Sequence, residues 1–134
     1  MEATAQTVFL VEDEEAILEG IADFLIRRKF AVTTATCFRD AQAALAAMPS
    51  PPDFVITDVR LPDGNGLDIV RDIAARQPRP RIVVITGHLD KEAVEHARTS
   101  GADAVLLKPF PLRTLLAELR GGDPGGSPTD PVKP

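Results

Sequence analysis

Five residues suited to charge chemistry stand directly after short apolar runs. Glu12 and Asp13 follow the run at 8–11, Asp58 that at 54–57, Thr86 that at 82–85 and Lys108 that at 104–107. A further run at 32–35 is followed only by Thr36. One strand-end Asp or Thr is accounted for as a loop or helix-cap residue, and Asp13-Glu14-Glu15 suits a helix N-terminus. Five such residues delivered to one place are not explained that way. Carboxylates about 4 Å apart repel by about 4 kcal/mol at an effective dielectric near 20, and Lys108 neutralises only one charge. Hard oxygen donors without Cys or His point to Mg2+ or a similar divalent ion.

The elements that must position these residues are legible in the hydrophobic pattern. The runs begin at 8, 32, 54, 82 and 104, leaving gaps long enough for a helix each. Four are nearly continuous rather than alternating, as in strands buried on both faces of a parallel sheet. The run at 32–35 carries two threonines and is predicted to be the exposed edge. Helical stripes fill the gaps: Ile17, Leu18, Ile21, Phe24 and Leu25; Phe38, Ala41, Leu45 and Met48; Leu67, Val70, Ile73 and Ala74; Leu112, Leu115, Leu116 and Leu119. Prolines at 49, 51 and 52 and at 78 and 80 stop two of them, and Pro111 opens the last. The segment 91–100 offers only Ala93, Val94 and Ala97, and is predicted to be the least firmly packed helix. Parallel strands need right-handed crossovers that place helices on both faces. The predicted fold is a doubly wound α/β sandwich, (βα)5 and flavodoxin-like, with a five-stranded parallel sheet in the order 2-1-3-4-5. Ligands in such sheets bind at the carboxyl ends of the strands.

Composition narrows the class. The 134 residues fit one domain, 1–120, followed by a Gly/Pro-rich tail at 121–134 that reads as a flexible linker. A single cysteine, Cys37, excludes an internal disulfide or a cysteine zinc cluster and favours a reducing compartment. No apolar run reaches the ~18 residues of a membrane span, so the expected location is cytoplasmic, without membrane contact. The net charge of −5, with no Lys/Arg cluster beyond Arg27-Arg28-Lys29, argues against direct nucleic-acid binding by this segment.

Four segments, 8–14, 58–67, 84–87 and 108–110, resemble the receiver domain of two-component response regulators over about residues 6 to 120. The motifs Glu12-Asp13, Asp58-Val59-Arg60-Leu61-Pro62-Asp63-Gly64, Thr86-Gly87 and Lys108-Pro109-Phe110 stand in that family's order and spacing. The resemblance implies that Asp58 accepts a phosphoryl group from a phosphohistidine on a sensor histidine kinase or histidine phosphotransfer protein. It implies that Glu12, Asp13, Asp58 and the main-chain carbonyl of Arg60 hold Mg2+ (or Mn2+), and that Lys108 and Thr86 contact phosphoryl oxygens. It further implies a cis peptide before Pro109, a weak autophosphatase activity only, and an output domain or partner beyond the tail. Phosphoryl transfer needs positioning and charge neutralisation more than covalent activation, and this residue set supplies both.

Other residues have simpler explanations. The segment Pro62-Asp63-Gly64-Asn65-Gly66 reads as a turn whose glycines permit positive φ. His88 and His96 lack a second His or Cys at metal-binding spacing, and Cys37 reads as a small loop or core residue. Three departures from the family pattern stand out: Glu12 stands for the more usual Asp, the pair Arg60 and His88 flanks the path of a hydrolytic water, and Val105 occupies a position usually aromatic. Two alternatives are a small Mg2+-dependent phosphohydrolase and a phosphorylation-independent interaction module. The first needs an acid where Arg60 stands; the second leaves Asp13, Asp58, Thr86 and Lys108 without a purpose.

Overall fold

The computed structural model describes residues 5–88 and 91–121; the tail from 122 lies outside them. In chain order the elements are β1 (Thr7–Val11), α1 (Glu15–Arg27), β2 (Ala31–Ala35), α2 (Phe38–Ala47), β3 (Phe54–Asp58), α3 (Gly66–Ala74), β4 (Arg81–Thr86), α4 (Lys91–Ser100), β5 (Ala104–Leu107) and α5 (Leu112–Leu119). A two-residue hairpin, Arg60–Leu61 against Gly64–Asn65, lies between β3 and α3. The five strands form one parallel sheet in the order β2-β1-β3-β4-β5, as the sequence pattern predicts. β2 is indeed the exposed edge, with Thr33 and Thr34 open to solvent.

The apolar runs are continuous because each strand feeds two cores. Val8, Leu10, Ile56, Val83, Ile85 and Leu106 pack with Leu18, Ile21 and Leu25 of α1 and Leu115 and Leu119 of α5. The intervening residues Phe9, Val11, Val55, Ile82 and Val84 pack with Ala41 and Leu45 of α2, Val70 and Ile73 of α3, and Ala97 of α4. α4 contributes least: Ala97 and Ser100 are its buried residues, while Ala93 and Val94 are half-buried.

Helix ends hold the surprises. α1 stops in a Schellman-type turn: Phe30 N–H donates to the Leu25 carbonyl (3.1 Å), and Lys29 adopts φ 75° where glycine is usual. Phe30 is thereby turned inward against Phe54, edge to face at 5.9 Å. At the other end of α1, Glu14 is the N-cap residue without a side-chain capping bond, so Asp13 does not serve there. Cys37 is neither a plain loop nor a core residue: its sulfur caps α2, accepting from Asp40 N–H at 3.4 Å. Asn65 caps α3, accepting from Leu67 N–H at 2.8 Å.

The glycines after Asp58 correct the turn reading. Among the described residues only Gly101, Gly121 and Lys29 have positive φ, so Gly64 and Gly66 are not there for backbone freedom. They are there for space. A Cβ on Gly64 would stand 2.6 Å from the Phe38 ring, and one on Gly66 would collide with the Asp58 carbonyl oxygen. Gly20, in the middle of α1, has open space where a Cβ would go. Gly66→Ala is therefore expected to cost about 1–3 kcal/mol through overpacking. Gly20→Ala should instead gain about 0.5–1 kcal/mol from helix propensity. Urea midpoints of the two variants, moving in opposite directions from wild type, check both assignments.

Candidate functional site

The strand register brings the predicted site residues to one edge of the sheet. Asp58 ends β3 opposite Ile85 of β4, placing Thr86 one residue beyond. Thr86 pairs with Leu107 of β5, and the Lys108 N–H donates to the Thr86 carbonyl at 2.8 Å. Glu12 N–H extends the β1–β2 pairing by donating to the Ala35 carbonyl at 3.1 Å. Backbone pairing thus fixes where each functional side chain starts.

The Lys108 ammonium sits between two acids. Its Nζ lies 2.6 Å from Asp58 Oδ2 and 2.9 Å from Glu12 Oε1. The other Asp58 oxygen, Oδ1, accepts from Arg60 N–H at 3.2 Å, and Glu12 Oε2 accepts from Glu14 N–H at 3.0 Å. The Glu12 side chain is fully buried and that of Asp58 is 10% exposed. Asp13, by contrast, is exposed, with a carboxylate oxygen within 4.8 Å of oxygens on both other acids. Among the described residues these three form the one convergent group of acid, His or Cys side chains able to hold a metal ion. His88 and His96 are exposed and stand outside it. The Lys108–Pro109 peptide is cis, as the family resemblance implies.

Charge balance explains the ionisation behaviour. Burial raises the Glu12 carboxyl above its ordinary 4.5, against the pull of the Lys108 ammonium and the Glu14 amide; the neighbouring Asp58 charge adds to the rise. Burial alone would lower the Lys108 ammonium, but its bonds to Asp58 and Glu12 outweigh that and hold it above 10.5. One cation cannot cancel three acids, so a net negative charge remains. Glu12 Oε1 meets the ammonium in distance but has no aligned hydrogen-bond donor among the described residues. A buried carboxylate oxygen in that state, with two further carboxylates in reach, fits a hard divalent cation.

Thr86 and Arg60 take less direct positions. The Thr86 hydroxyl is engaged within its own loop, accepting from His88 N–H and donating to the His88 carbonyl, each at 3.1 Å. Arg60 opens the hairpin with its side chain exposed. Sequence reasoning gave Asp63 only a place in a turn. Its carboxylate reaches α2, where Oδ1 accepts from Phe38 N–H at 2.6 Å and Oδ2 from Arg39 N–H at 3.0 Å. No local pattern announces a cap supplied from 25 residues away.

Comparison with known proteins agrees with the geometry. The model of the response regulator receiver domain matches residues 8–120. The chain belongs to that family, the receiver domains of two-component signal transduction, and is a signalling domain rather than an enzyme of metabolism. It is 36% identical over 104 residues to the photosynthetic apparatus regulatory protein RegA of Cereibacter sphaeroides, covering 78% of this chain and 55% of that one. It is 34% identical over 101 residues to the DNA-binding transcriptional activator DevR/DosR of Mycobacterium tuberculosis, covering 75% and 46%. A response regulator from Burkholderia pseudomallei, solved with a phosphorylated aspartic acid, a calcium ion and citrate, superposes with a TM-score of 0.77 at 28% identity, covering 84% and 65%. The chain spans about half the length of the first two relatives. No helix among the described residues is long and apolar enough to cross a membrane.

The ion-pair geometry has a measurable consequence. The raised Lys108 pKa contributes stability that is fully present below 10.5 and is lost as pH rises through the folded value. The raised Glu12 pKa favours the fold below 4.5, and that part is lost as pH rises through its folded value. Lys108→Met, in the absence of divalent ions, leaves both buried carboxylates without a counter-charge and should cost about 3 kcal/mol at neutral pH. The cost should shrink at mildly acid pH, where Glu12 takes up a proton. Urea unfolding at both pH values checks this; an equal cost at each would point to lost packing rather than lost charge.

Proposed function

We propose that this receiver domain, residues 1–120, accepts a phosphoryl group onto Asp58 from the phosphohistidine of a sensor histidine kinase or histidine phosphotransfer protein. The observation that carries the reading is the Asp58 carboxylate, nearly buried, held at one oxygen by Lys108 and at the other by the Arg60 amide. Asp58 attacks phosphorus as the P–N bond to the imidazole breaks, and the imidazole leaves with the bonding pair. Mg2+ (or Mn2+), held by Glu12, Asp13, Asp58 and the Arg60 carbonyl, would supply the positive charge that one ammonium cannot. Lys108 then neutralises a phosphoryl oxygen. The Thr86 hydroxyl must leave the His88 carbonyl before it can donate to another, which makes the 86–88 loop the first part of the chain to move.

Two features support this assignment over its alternatives. Arg60 supplies no general acid for a phosphohydrolase, so turnover of the phosphoryl group is limited to weak self-dephosphorylation. Beside the acids lies a groove of about 460 Å3 between α1 and the segment after β5, lined by Ile17, Gly20, Ile21, Phe110 and Leu112 with Lys108 among its walls. An apolar groove that includes the lysine of the phosphoacceptor site suits a docking helix that carries the donor histidine. Val105 is half-buried and packs against the α2–α4 core. It has no ring to swing, so the change at Thr86 passes through the loop backbone toward α4. The output lies in a partner or in chain beyond the tail, in a cytoplasmic setting.

Incubation with acetyl phosphate and Mg2+ should add one phosphoryl group by intact mass; the adduct should be absent with chelator and in Asp58→Asn. An adduct that survives Asp58→Asn would move the acceptor elsewhere, and no adduct in wild type would favour a phosphorylation-independent interaction module. Mg2+ at ten times its Kd should stabilise the fold by about 1.4 kcal/mol, a rise of a few degrees in Tm. Asp13→Asn should lose most of that response.

A further inference from the structure

The hairpin that follows Asp58 is anchored unevenly. At its base, Gly66 N–H donates to the Val59 carbonyl at 2.7 Å, and Leu61 is buried in the α2–α4 core. At its tip, Pro62, Asp63, Gly64 and Asn65 are all exposed. A hairpin with two residues in each strand has little stability of its own. The tip is nevertheless tied down. The Asp63 carboxylate accepts the first two amides of α2, one per oxygen, and the Phe38 ring lies where a side chain on Gly64 would have to go. The contact reads in both directions: α2 gains an acid at the positive end of its dipole, and the hairpin gains a fixed tip. The Arg39 and Phe38 amides hold the Asp63 carboxyl below its ordinary 3.8, so the interaction favours the charged form. Arg60, whose carbonyl the proposed cation site uses, sits in the first strand of this hairpin, pairing with Asn65.

We infer that Asp63 is a positioning residue for the cation site: by clamping the hairpin tip to the first turn of α2, it holds the Arg60 carbonyl ready for the ion. The inference rests on the cation site proposed above. It makes α2 responsive to events at Asp58 although α2 supplies none of the proposed site residues. Coupling is reciprocal, so an ion that orders the hairpin must also tighten the first turn of α2. Cys37 caps the same helix through the Asp40 amide, beside the Asp63 carboxylate.

The test titrates metal-free protein with Mg2+ and follows amide chemical shifts in wild type, Asp63→Ala and Asp13→Asn. Hydrogen exchange of the Phe38 and Arg39 amides is measured with and without the ion. Asp63→Ala should weaken Mg2+ binding by about fivefold or more, within the usual range of coupling between sites. Saturating Mg2+ should slow exchange at Phe38 and Arg39 in wild type, a measurement that needs no variant to fold. Asp63→Asn, which keeps one acceptor oxygen, should fall between wild type and Asp63→Ala. Wild-type affinity in Asp63→Ala, or unchanged exchange at both amides, would overturn the clamp while Asp13-dependent binding left the cation site standing. If wild type shows no Asp13-dependent response to Mg2+, the cation site falls and the clamp falls with it.

Discussion

The Lys108 ammonium is the interaction on which the site depends. Two carboxylates on neighbouring strands, one of them fully buried, converge without unfolding the sheet edge only because a cation from β5 reaches between them. That requirement dictates topology. β1 and β3 must be adjacent to bring Glu12 beside Asp58, and the chain after β5 must return Lys108 across β4. The parallel register supplies both conditions. The ammonium still leaves charge uncompensated, and Glu12 Oε1 remains without an aligned donor. Buried charges normally have partners; here the set is incomplete, and the three acids together could hold a metal ion.

Around that ion pair the backbone is shaped by exclusion as much as by attraction. Gly66 lets α3 begin against the Asp58 carbonyl, and Gly64 lets the hairpin lie under the Phe38 ring. Both glycines have negative φ, so the constraint is volume rather than backbone conformation. The close approach draws the start of α3, the hairpin and the first turn of α2 around one aspartate. α4 stands apart, joined to the core chiefly by Ala97 and Ser100.

Much of this could be read in the sequence, and the remainder has identifiable reasons for being hidden. Strands buried on both faces show as continuous apolar runs, and the residues ending them share one edge of the sheet. The β2 edge showed itself through Thr33 and Thr34. What could not be read were contacts between distant segments: Asp63 capping α2 and Phe38 excluding a side chain at Gly64. Lys29 was illegible for a different reason. Its left-handed backbone is imposed by Phe30 turning inward to meet Phe54, which overrides the local preference for glycine. At Cys37 and at 62–66 a residue type suggests several local uses, and only the neighbouring helix selects one.

The division of the strands between two cores has an evolutionary consequence. Residues alternating along β1, β3 and β4 belong to the α1/α5 side or to the α2–α4 side, never to both. Side chains on opposite faces are separated by the sheet itself, and substitutions that far apart with no shared partners act nearly additively. The α1/α5 side can therefore drift in shape without repacking α2, α3 and α4. The opposite side can change its packing just as freely. The two lineages of change meet only at the carboxyl edge, where Glu12, Asp58 and Lys108 share a single electrostatic balance. That edge is the part least free to vary, so one inherited switch can be rewired at either end while its mechanism stays put.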